Sequence, residues 1–210
     1  MSGIYIGEEE SRRIYVGFKP VIGVYAGEKR IWPPYGRTQV VQYATAGTYS
    51  VEVPWWARVA EVVVLGGGGG GSGGDFISSA ECWGGDGGKW RVAAFANLPS
   101  HFTVRVGSGG GKGSSGNAGA AGSPSTVTGP IHSVEGAGGA GGSGYGSAIG
   151  RSPGTVTHFE NQFVGGAQAA RTKDGNPPGG GGGAASGGPI GRTPAGNGAA
   201  GFVWIRFKSE

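Results

Sequence analysis

Two glycine-rich stretches approach the spacing of a phosphate-binding loop, in which backbone amides surround a phosphate and a Lys neutralises it. The first stretch spans residues 84–89, and the second spans residues 109–113. A phosphate loop continues with Ser or Thr, which binds the metal ion, but Trp90 follows the first Lys and a glycine follows the second. Neither stretch is therefore predicted to bind a nucleotide.

A second group of residues with chemical potential is Ser72 and the three histidines. Ser72 lies in a Gly-x-Ser-x-Gly sequence after an apolar run, but no helix is predicted after it and no acid–histidine pair accompanies it. His101, His132 and His158 are far apart and lack the close ligand spacing of a metal site. We therefore expect no enzyme activity, no cofactor and no metal; a cell-wall hydrolase would also need paired carboxylates that the sequence does not suggest.

Composition sets the frame for any binding function. The chain has 210 residues with 51 glycines, and this much glycine favours disorder because glycine loses the most entropy on ordering. Six Trp, seven Tyr and eight Phe argue against disorder of the whole chain, since a linker carries little apolar area. The alternative, disorder confined to the glycine segments, stays open from composition alone.

Charge and hydropathy exclude several partners. The 17 Lys and Arg exceed the 13 Asp and Glu only slightly and form no cluster, so no nucleic-acid partner is expected. The amino terminus is acidic and lacks the apolar core of a signal peptide. No apolar run approaches the roughly 20 residues that cross a bilayer, so no membrane insertion is expected. Cys82 is the single cysteine, which excludes an intrachain disulfide.

Residues 4–33 repeat with a period of ten. Each unit holds a β-branched residue, a Tyr, a small or branched residue and a Gly, which predicts short strands joined by tight turns. Such a unit cannot bury its own face, so we expect it to dock on another chain or on copies of itself. The alternative is a self-contained meander packed on the main domain. The predicted docking residues are Tyr5, Tyr15, Tyr25 and Trp32.

Pro33-Pro34-Tyr35-Gly36 marks a domain boundary, because proline cannot continue a strand ladder. We therefore predict a docking module at 1–36 and a main domain at 37–210. In the main domain Tyr49–Val53 and Phe102–Val106 alternate apolar and polar residues, as half-buried strands do. Val62–Leu65 is apolar on both faces and is predicted to be a central strand. No amphipathic helix is predicted, so the chain is expected to be all-β.

Glycines also recur at every third position. Gly107, Gly110, Gly113, Gly116, Gly119 and Gly122 keep this spacing without a break. An extended helix with three residues per turn would place them on one face, where only glycine lets another backbone approach closely. Proline is nearly absent from the run, which disfavours collagen. We therefore predict one extended glycine helix with Gly116 at its centre, packed beside others and held by backbone hydrogen bonds.

Aromatic and polar residues interrupt the glycine segments. If those segments form a bundle, the interruptions are loops at its ends, and exposed aromatic residues are typical of carbohydrate or protein recognition. The alternative is that they only cap the bundle. The candidate receptor-binding residues are Trp83, Trp90, Tyr145, His158, Phe159, Phe163 and Arg171.

Three segments together resemble a known family. Ala46–Pro54, followed by Ala60–Gly70, resembles the opening of the glycine-rich domain of bacteriophage tail proteins. Gly201–Arg206 resembles the last strand of that domain, and the ten-residue repeats are similar to leader repeats in minor tail proteins of phages that infect actinobacteria. The resemblance implies a β-sandwich with polyglycine II-type helices, as in glycine-rich phage adhesins.

The same resemblance implies a role in the virion at the tail tip. The expected function is host-surface recognition through a glycan or protein, and the alternative is a purely structural tail component that binds only virion proteins. The resemblance also implies that the amino-terminal repeats contact other tail proteins and that the chain forms a homo-oligomer, which we expect to be a trimer. The family defines no catalytic residues, so none are carried over.

Overall fold

The computed structural model describes residues 15–16, 19–20, 23–27, 29–32, 36–74, 82–185 and 194–209. Within these ranges the chain forms strands and no helix, so the predicted all-β class is confirmed. The strands are β1 (Tyr15–Val16), β2 (Lys19–Pro20), β3 (Val24–Ala26), β4 (Lys29–Trp32), β5 (Thr38–Tyr43), β6 (Gly47–Glu52), β7 (Val59–Leu65), β8 (Trp90–Ala96), β9 (His101–Val106), β10 (Ser125–Thr128), β11 (Ser133–Gly136), β12 (Thr155–His158), β13 (Asn161–Val164) and β14 (Phe202–Lys208).

The amino-terminal repeats form two small antiparallel hairpins. β1 pairs with β2 and β3 pairs with β4, and Tyr15 and Tyr25 both lie in the first strand of their hairpin. The Tyr25 side chain is 61% exposed. Tyr5 lies outside the described residues, and so do the side chains of Tyr15 and Trp32. The docking role of these residues therefore stays a prediction.

Two four-stranded antiparallel sheets build the main domain. The first sheet has the order β5-β14-β7-β8, and the second has the order β11-β10-β9-β6. The last strand of the chain thus lies between β5 and β7, and its residue Ile205 faces Val41 on one side and Val62 on the other. Because β7 is an inner strand with both faces covered, the prediction that Val62–Leu65 is central is confirmed.

The two sheets pack face to face over one hydrophobic core. Strand β9 buries alternate residues, as predicted, and Phe102, Val104 and Val106 are at most 2% exposed. The first sheet contributes its alternate inward residues to the same core, so the pair forms a β-sandwich. Those from β7 and β14 are Ala60, Val62, Val64, Val203, Ile205 and Phe207.

Beyond the sandwich, β7 runs directly into a buried glycine segment, residues 66–74, here called the central segment. Its N–H groups are shared among three neighbours with a period of three. Every third amide donates to the same neighbour, at 2.9 to 3.3 Å, and the neighbours are residues 117–123, 196–199 and 83–89. Residues 117–123 accept from Gly67, Gly70 and Gly73. Residues 196–199 accept from Gly68 and Gly71, and residues 83–89 accept from Gly66, Gly69 and Ser72.

The carbonyl groups of the central segment follow the same period but face three other neighbours. They accept hydrogen bonds of 2.8 to 3.0 Å from residues 110–116, 139–142 and 182–185. Six glycine-rich segments therefore surround the central one. Because each neighbour lies at hydrogen-bonding distance, the backbone groups are paired although the segment is buried, as burial requires.

Close packing explains why every residue but one from 66 to 74 is glycine. A β-carbon at Gly70 would overlap the carbonyl of Gly111, and one at Gly71 would overlap the carbonyl of Gly183. The outer segment 107–113 is bonded to three neighbours instead of six, namely the central segment, residues 120–123 and residues 198–201. There Gly107, Gly110 and Gly113 are buried whereas the residues at 111 and 112 are exposed, which accounts for glycine at every third position.

The predicted run from Gly107 to Gly122 is not one extended element. The chain turns at Ser115-Gly116, so two antiparallel glycine segments face each other, and Gly116 is an exposed turn residue with φ of 71°. Gly116 uses the left-handed region that favours glycine in turns. The sequence period does not reveal this turn, because the spacing of three continues through it. No helix is assigned to the glycine segments among the described residues, and the predicted polyglycine II-type helices are not seen as such. What the segments show is the period of three in their hydrogen bonds.

We expect Gly70→Ala to destabilise the protein strongly. The new β-carbon would overlap the Gly111 carbonyl. It would disturb two backbone hydrogen bonds, from the Gly70 N–H to the Ala120 carbonyl and from the Gly142 N–H to the Gly70 carbonyl. Buried groups left unpaired cost ~1–3 kcal/mol each, so the free energy of unfolding should fall by at least about 2 kcal/mol. Urea denaturation of the purified full-length chain measures this change.

Gly111→Ala is the matched control, because nothing lies within 4 Å of a β-carbon at that position. Its free energy of unfolding should stay within about 0.5 kcal/mol of the unmodified protein, as is usual for surface substitutions. Equal effects of the two substitutions would contradict the account of close backbone packing.

Candidate functional site

A hairpin made of β12 and β13 covers part of the outer face of the first sheet. Phe163 on β13 is 7% exposed and packs edge-on against Trp204 of β14, with ring centroids 5.1 Å apart. Trp90, at the start of β8, lies beside it with ring centroids 6.3 Å apart. Val63 and Trp204 are neighbours on adjacent strands and complete the buried outer cluster. The hairpin is thus fixed by aromatic packing.

The turn of this hairpin has an uncommon backbone conformation. Phe159 and Glu160 have φ of 51° and 63°, the two positive values that a two-residue hairpin turn requires. Asn and Gly usually occupy such positions, so Phe and Glu need support from their surroundings. The Phe159 carbonyl accepts hydrogen bonds from Asn161 Nδ2 at 2.8 Å and from Arg206 at 3.0 Å. These bonds hold the turn against the sheet.

A small ionic cluster connects the turn to two strands. Glu61 on β7 is 8% exposed, and its carboxylate accepts from Arg206 Nε at 2.6 Å and from Lys208 Nζ at 3.3 Å. Because Arg206 also donates to Phe159, this cluster joins the outer face of the sheet to the hairpin turn. Glu61 thus pairs with both cations, and the exposed Glu160 carboxylate lies 3.9 Å from Arg206 Nη2.

The groove has a volume of about 450 Å³ and lies between the hairpin, β5 and a Pro-Pro loop. Trp204 and Phe163 are almost fully buried and form its floor, whereas Trp90 and Phe202 are half-buried. Gln42 and Gln162 are exposed at its rim. The lining residues are Gln42, Ala44, Trp90, Asn161, Gln162, Phe163, Val164, Pro177, Pro178, Phe202 and Trp204. A pocket with aromatic walls and a few polar groups is the usual form of a ligand site, so this aromatic groove is our candidate site.

The structure brings only some of the predicted recognition residues together. Trp90 and Phe163 line the aromatic groove, and His158 and Phe159 lie in the same hairpin. These residues form a side wall on the sheet, whereas the prediction placed them in a loop at the end of a bundle. Arg171 is half-buried in a turn at residues 171–172. A receptor-binding role for each of them stays a prediction.

Trp83 and Tyr145 lie on a second surface. The Arg151 guanidinium lies 4.9 Å from the centroid of the Trp83 ring and also pairs with Asp86 at 2.8 Å. Tyr145 is 54% exposed, and its backbone bridges that of Cys82. These contacts cover one face of Trp83 with a side chain of the same chain. The second surface therefore combines an exposed tyrosine with a tryptophan that already contacts Arg151.

Sequence reasoning did not identify Gln42, Phe202 and Trp204 as site residues. Strand alternation in the sequence puts Trp204 on the same face as Phe202 and Arg206, but nothing in the sequence shows that Gln42 is its neighbour on β5. That pairing joins residues near the two ends of the domain. The alternation of Phe202, Trp204 and Arg206 was the available signal, because three large side chains on one sheet face indicate that something covers it.

The serine and histidine residues considered above for catalysis or metal binding contact other groups of the same chain. Ser72 is 4% exposed within the central segment, where its hydroxyl lies 3.4 Å from the carbonyl oxygens of Gly73 and Asn117. His132 stacks on Phe95 with centroids 4.6 Å apart, and His101 contacts Ser100. Among the described residues, no group of three or more His, Cys, Asp or Glu is placed to hold a metal ion. The same residues contain no helix long and apolar enough to cross a membrane.

Comparison with known proteins identifies similar chains. A family model described as a glycine-rich domain matches residues 44–208. The Gene 32 protein of Mycobacterium phage L5 is 34% identical over 223 aligned residues, which cover 98% of this chain and 99% of that relative. The similarity therefore extends over both the amino-terminal repeats and the sandwich with its glycine segments.

We expect Glu61→Leu to destabilise the fold because it leaves Arg206 and Lys208 without their carboxylate. Removing one partner of a fully buried ion pair costs ~3–5 kcal/mol, and the partial exposure of this cluster should reduce the loss of unfolding free energy to about 2 kcal/mol. The double variant Glu61→Leu with Arg206→Leu should lose less than the sum of the two single losses. Urea denaturation in a double-mutant cycle measures the coupling, and additive losses would show that the two residues act independently.

Proposed function

Because the chain belongs to the glycine-rich domain family and has a full-length relative in a mycobacteriophage, we propose that it is a minor tail protein of a phage virion. It lies at the tail tip and contributes to attachment of the particle to the host surface. Binding is its mode of action, without catalysis, cofactor or nucleic acid. The family resemblance and the geometry of the aromatic groove together support this proposal.

The aromatic groove is the observation that carries the attachment role. It combines a volume of about 450 Å³ with aromatic walls and three side-chain amides, a composition suited to a ligand outside the chain. Its floor is buried and cross-braced by ring contacts, so the groove exists before a ligand arrives. A preformed site loses little ordering entropy on binding.

A purely structural role in the tail is the second candidate. It is favoured by exposed apolar side chains outside the aromatic groove, such as Ile131 at 74% and Ile149 at 44%. Single exposed apolar residues are common on soluble proteins, so these two give weaker support than a formed groove. The structural candidate predicts contacts with other virion proteins and no ligand in the groove.

Assembly into the particle is assigned to the amino-terminal repeats. Their hairpins are short, and a two-stranded hairpin alone is marginally stable in water, so a partner surface would stabilise them. We propose other tail proteins as that surface and a trimer as the assembled state. The exposed side chain of Tyr25 is available for such a contact.

Deletion of residues 1–36 should leave a folded domain that no longer enters the particle. The two sheets and their core begin at β5, which lies after the deletion. The melting temperature of the truncated chain should therefore stay close to that of the whole protein. Immunoblots of purified particles assembled with the truncated chain measure incorporation, and normal incorporation would refute the docking role.

Substitutions in the aromatic groove should reduce adsorption of particles to host cells. Trp90→Ala removes a wall of the groove, and a well-packed aromatic contact is worth more than about 1.4 kcal/mol, or roughly tenfold in affinity. Adsorption rate constants of particles that carry equal amounts of each variant provide the measurement. Gln39→Ala, on the exposed part of β5 and outside the groove, is the control and should adsorb normally. Normal adsorption of the Trp90 variant would favour the purely structural role.

A further inference from the structure

We propose that the aromatic groove binds a neutral saccharide of one or a few sugar rings. This inference rests on the attachment function proposed above and names the chemical class of its ligand. It depends on three properties of the groove: the absence of charge in its lining, two half-buried aromatic rings, and side-chain amides at its rim.

The lining of the aromatic groove contains no ionisable side chain. Its eleven residues are apolar, aromatic, proline or amide residues. A charged ligand would lose hydration there without gaining an opposite charge, which is costly. On the same sheet face, the Glu61 carboxylate already pairs with both Arg206 and Lys208. The groove therefore favours neutral ligands over acidic sugars, phosphates and cationic groups.

Aromatic rings in the groove provide flat apolar surfaces. The Trp90 indole is held in place because its Nε1 donates to the Gly154 carbonyl at 3.3 Å, and its ring is tilted against Phe163 with centroids 6.3 Å apart. Phe202 is the second half-buried aromatic residue of the lining and lies two residues before Trp204 on β14. A pyranose ring has a face of C–H groups that packs well on an aromatic face, whose electron-rich surface attracts them. Extended peptides and lipid chains lack that match of a flat ring with many hydroxyl groups.

Amides at the rim suit hydroxyl groups. Gln42 and Gln162 are exposed and Asn161 is half-buried, and each amide carries both donors and an acceptor. Asn161 uses its Nδ2 to bond Phe159 at 2.8 Å, and that bond does not involve its Oδ1. Sugar hydroxyls also donate and accept, so one amide can pair with two neighbouring hydroxyls. Such pairing gives orientation without charge.

The size of the groove limits the ligand. About 450 Å³ lies in the lower half of the range for small-molecule sites, which suits a short saccharide segment rather than an extended polymer. Pro177 and Pro178 form part of the wall, and a hydrogen bond from the Gly166 N–H to the Pro178 carbonyl at 2.8 Å holds them there. The groove would thus take a terminal or branch unit of a surface glycan.

The test is a titration of the full-length protein with the methyl glycosides of glucose, galactose, mannose and N-acetylglucosamine. Tryptophan fluorescence and calorimetry measure the binding. Each neutral glycoside is paired with the methyl glycoside of its own uronic acid, in which a carboxylate replaces the primary alcohol. We expect saturable binding of at least one neutral glycoside, and about tenfold weaker binding of its charged counterpart. Absence of saturation by every neutral glycoside, or equal affinity for the acid, would overturn the proposal.

Gln42→Ala and Gln39→Ala form a matched pair for this titration. Both residues are exposed on β5, but only Gln42 lines the aromatic groove. Loss of an uncharged hydrogen bond should weaken saccharide binding about threefold to tenfold in Gln42→Ala and leave Gln39→Ala unchanged. Gln162→Ala, on the exposed rim of the hairpin, should behave like Gln42→Ala. Equal affinities for all three variants would overturn the proposal.

Particle adsorption separates failure of this inference from failure of the attachment function. If Gln42→Ala particles adsorb poorly while no neutral saccharide binds the protein, attachment stands and the ligand is a protein or peptide. If the same particles adsorb normally, the attachment role of the groove fails as well. If saccharide binding and adsorption fall together in Gln42→Ala but not in Gln39→Ala, both proposals are supported.

Discussion

The lack of room for a β-carbon at the glycines of the central segment is the constraint on which the fold depends. Six neighbouring segments surround residues 66–74, and carbonyl groups from three of them, residues 108–114, 137–140 and 180–183, occupy the places where side chains would begin at its glycines. Glycine there has a high entropic cost, since it loses more freedom than any other residue. Backbone hydrogen bonds on all sides and close van der Waals contact offset that cost. A segment this poor in side chains is ordered because six neighbours accept from its N–H groups or donate to its carbonyl groups.

The sandwich sets the register of these glycine segments. β7 continues into the central segment, and residues 107–113 and 195–201 adjoin β9 and β14. Ser125, which is fully buried, fixes the junction: its hydroxyl donates to the Leu65 carbonyl at 2.6 Å and accepts from the Gly107 amide at 2.9 Å. The hydrophobic effect stabilises the sandwich, and the aligned strand ends then place the glycine segments at hydrogen-bonding distance. The side-chain core and the glycine segments thus form one structure with two kinds of cohesion.

The sequence predicts those features that depend on local periodicity. Alternation in Phe102–Val106 and the apolar run Val62–Leu65 are local signals, and the structure confirms both. A spacing of three identifies the buried side of residues 107–113, yet it continues through the turn at Gly116 and hides the change of direction. The aromatic groove could not be predicted, because Gln42 and Trp204 become neighbours only through the pairing of β5 with β14. Long-range register decides that contact, and no local pattern encodes it.

Support for the aromatic groove comes from the glycine segments as well as from the sheet. The β12–β13 hairpin leaves the glycine region at residue 154 and returns at 165, where Gly165 donates to the Gly154 carbonyl at 2.9 Å. The Pro-Pro loop is held in the same way, since Gly179 donates to the Ala200 carbonyl at 2.7 Å. Backbone bonds therefore anchor both walls, and the hairpin is also held by the packing of Phe163 on Trp204 and Trp90. Exposed rim residues such as Gln42 and Gln162 can then change with little effect on stability, whereas the glycines that hold the walls cannot. The backbone framework and its aromatic floor can thus carry different rim side chains, because the exposed amides contribute to recognition and little to folding.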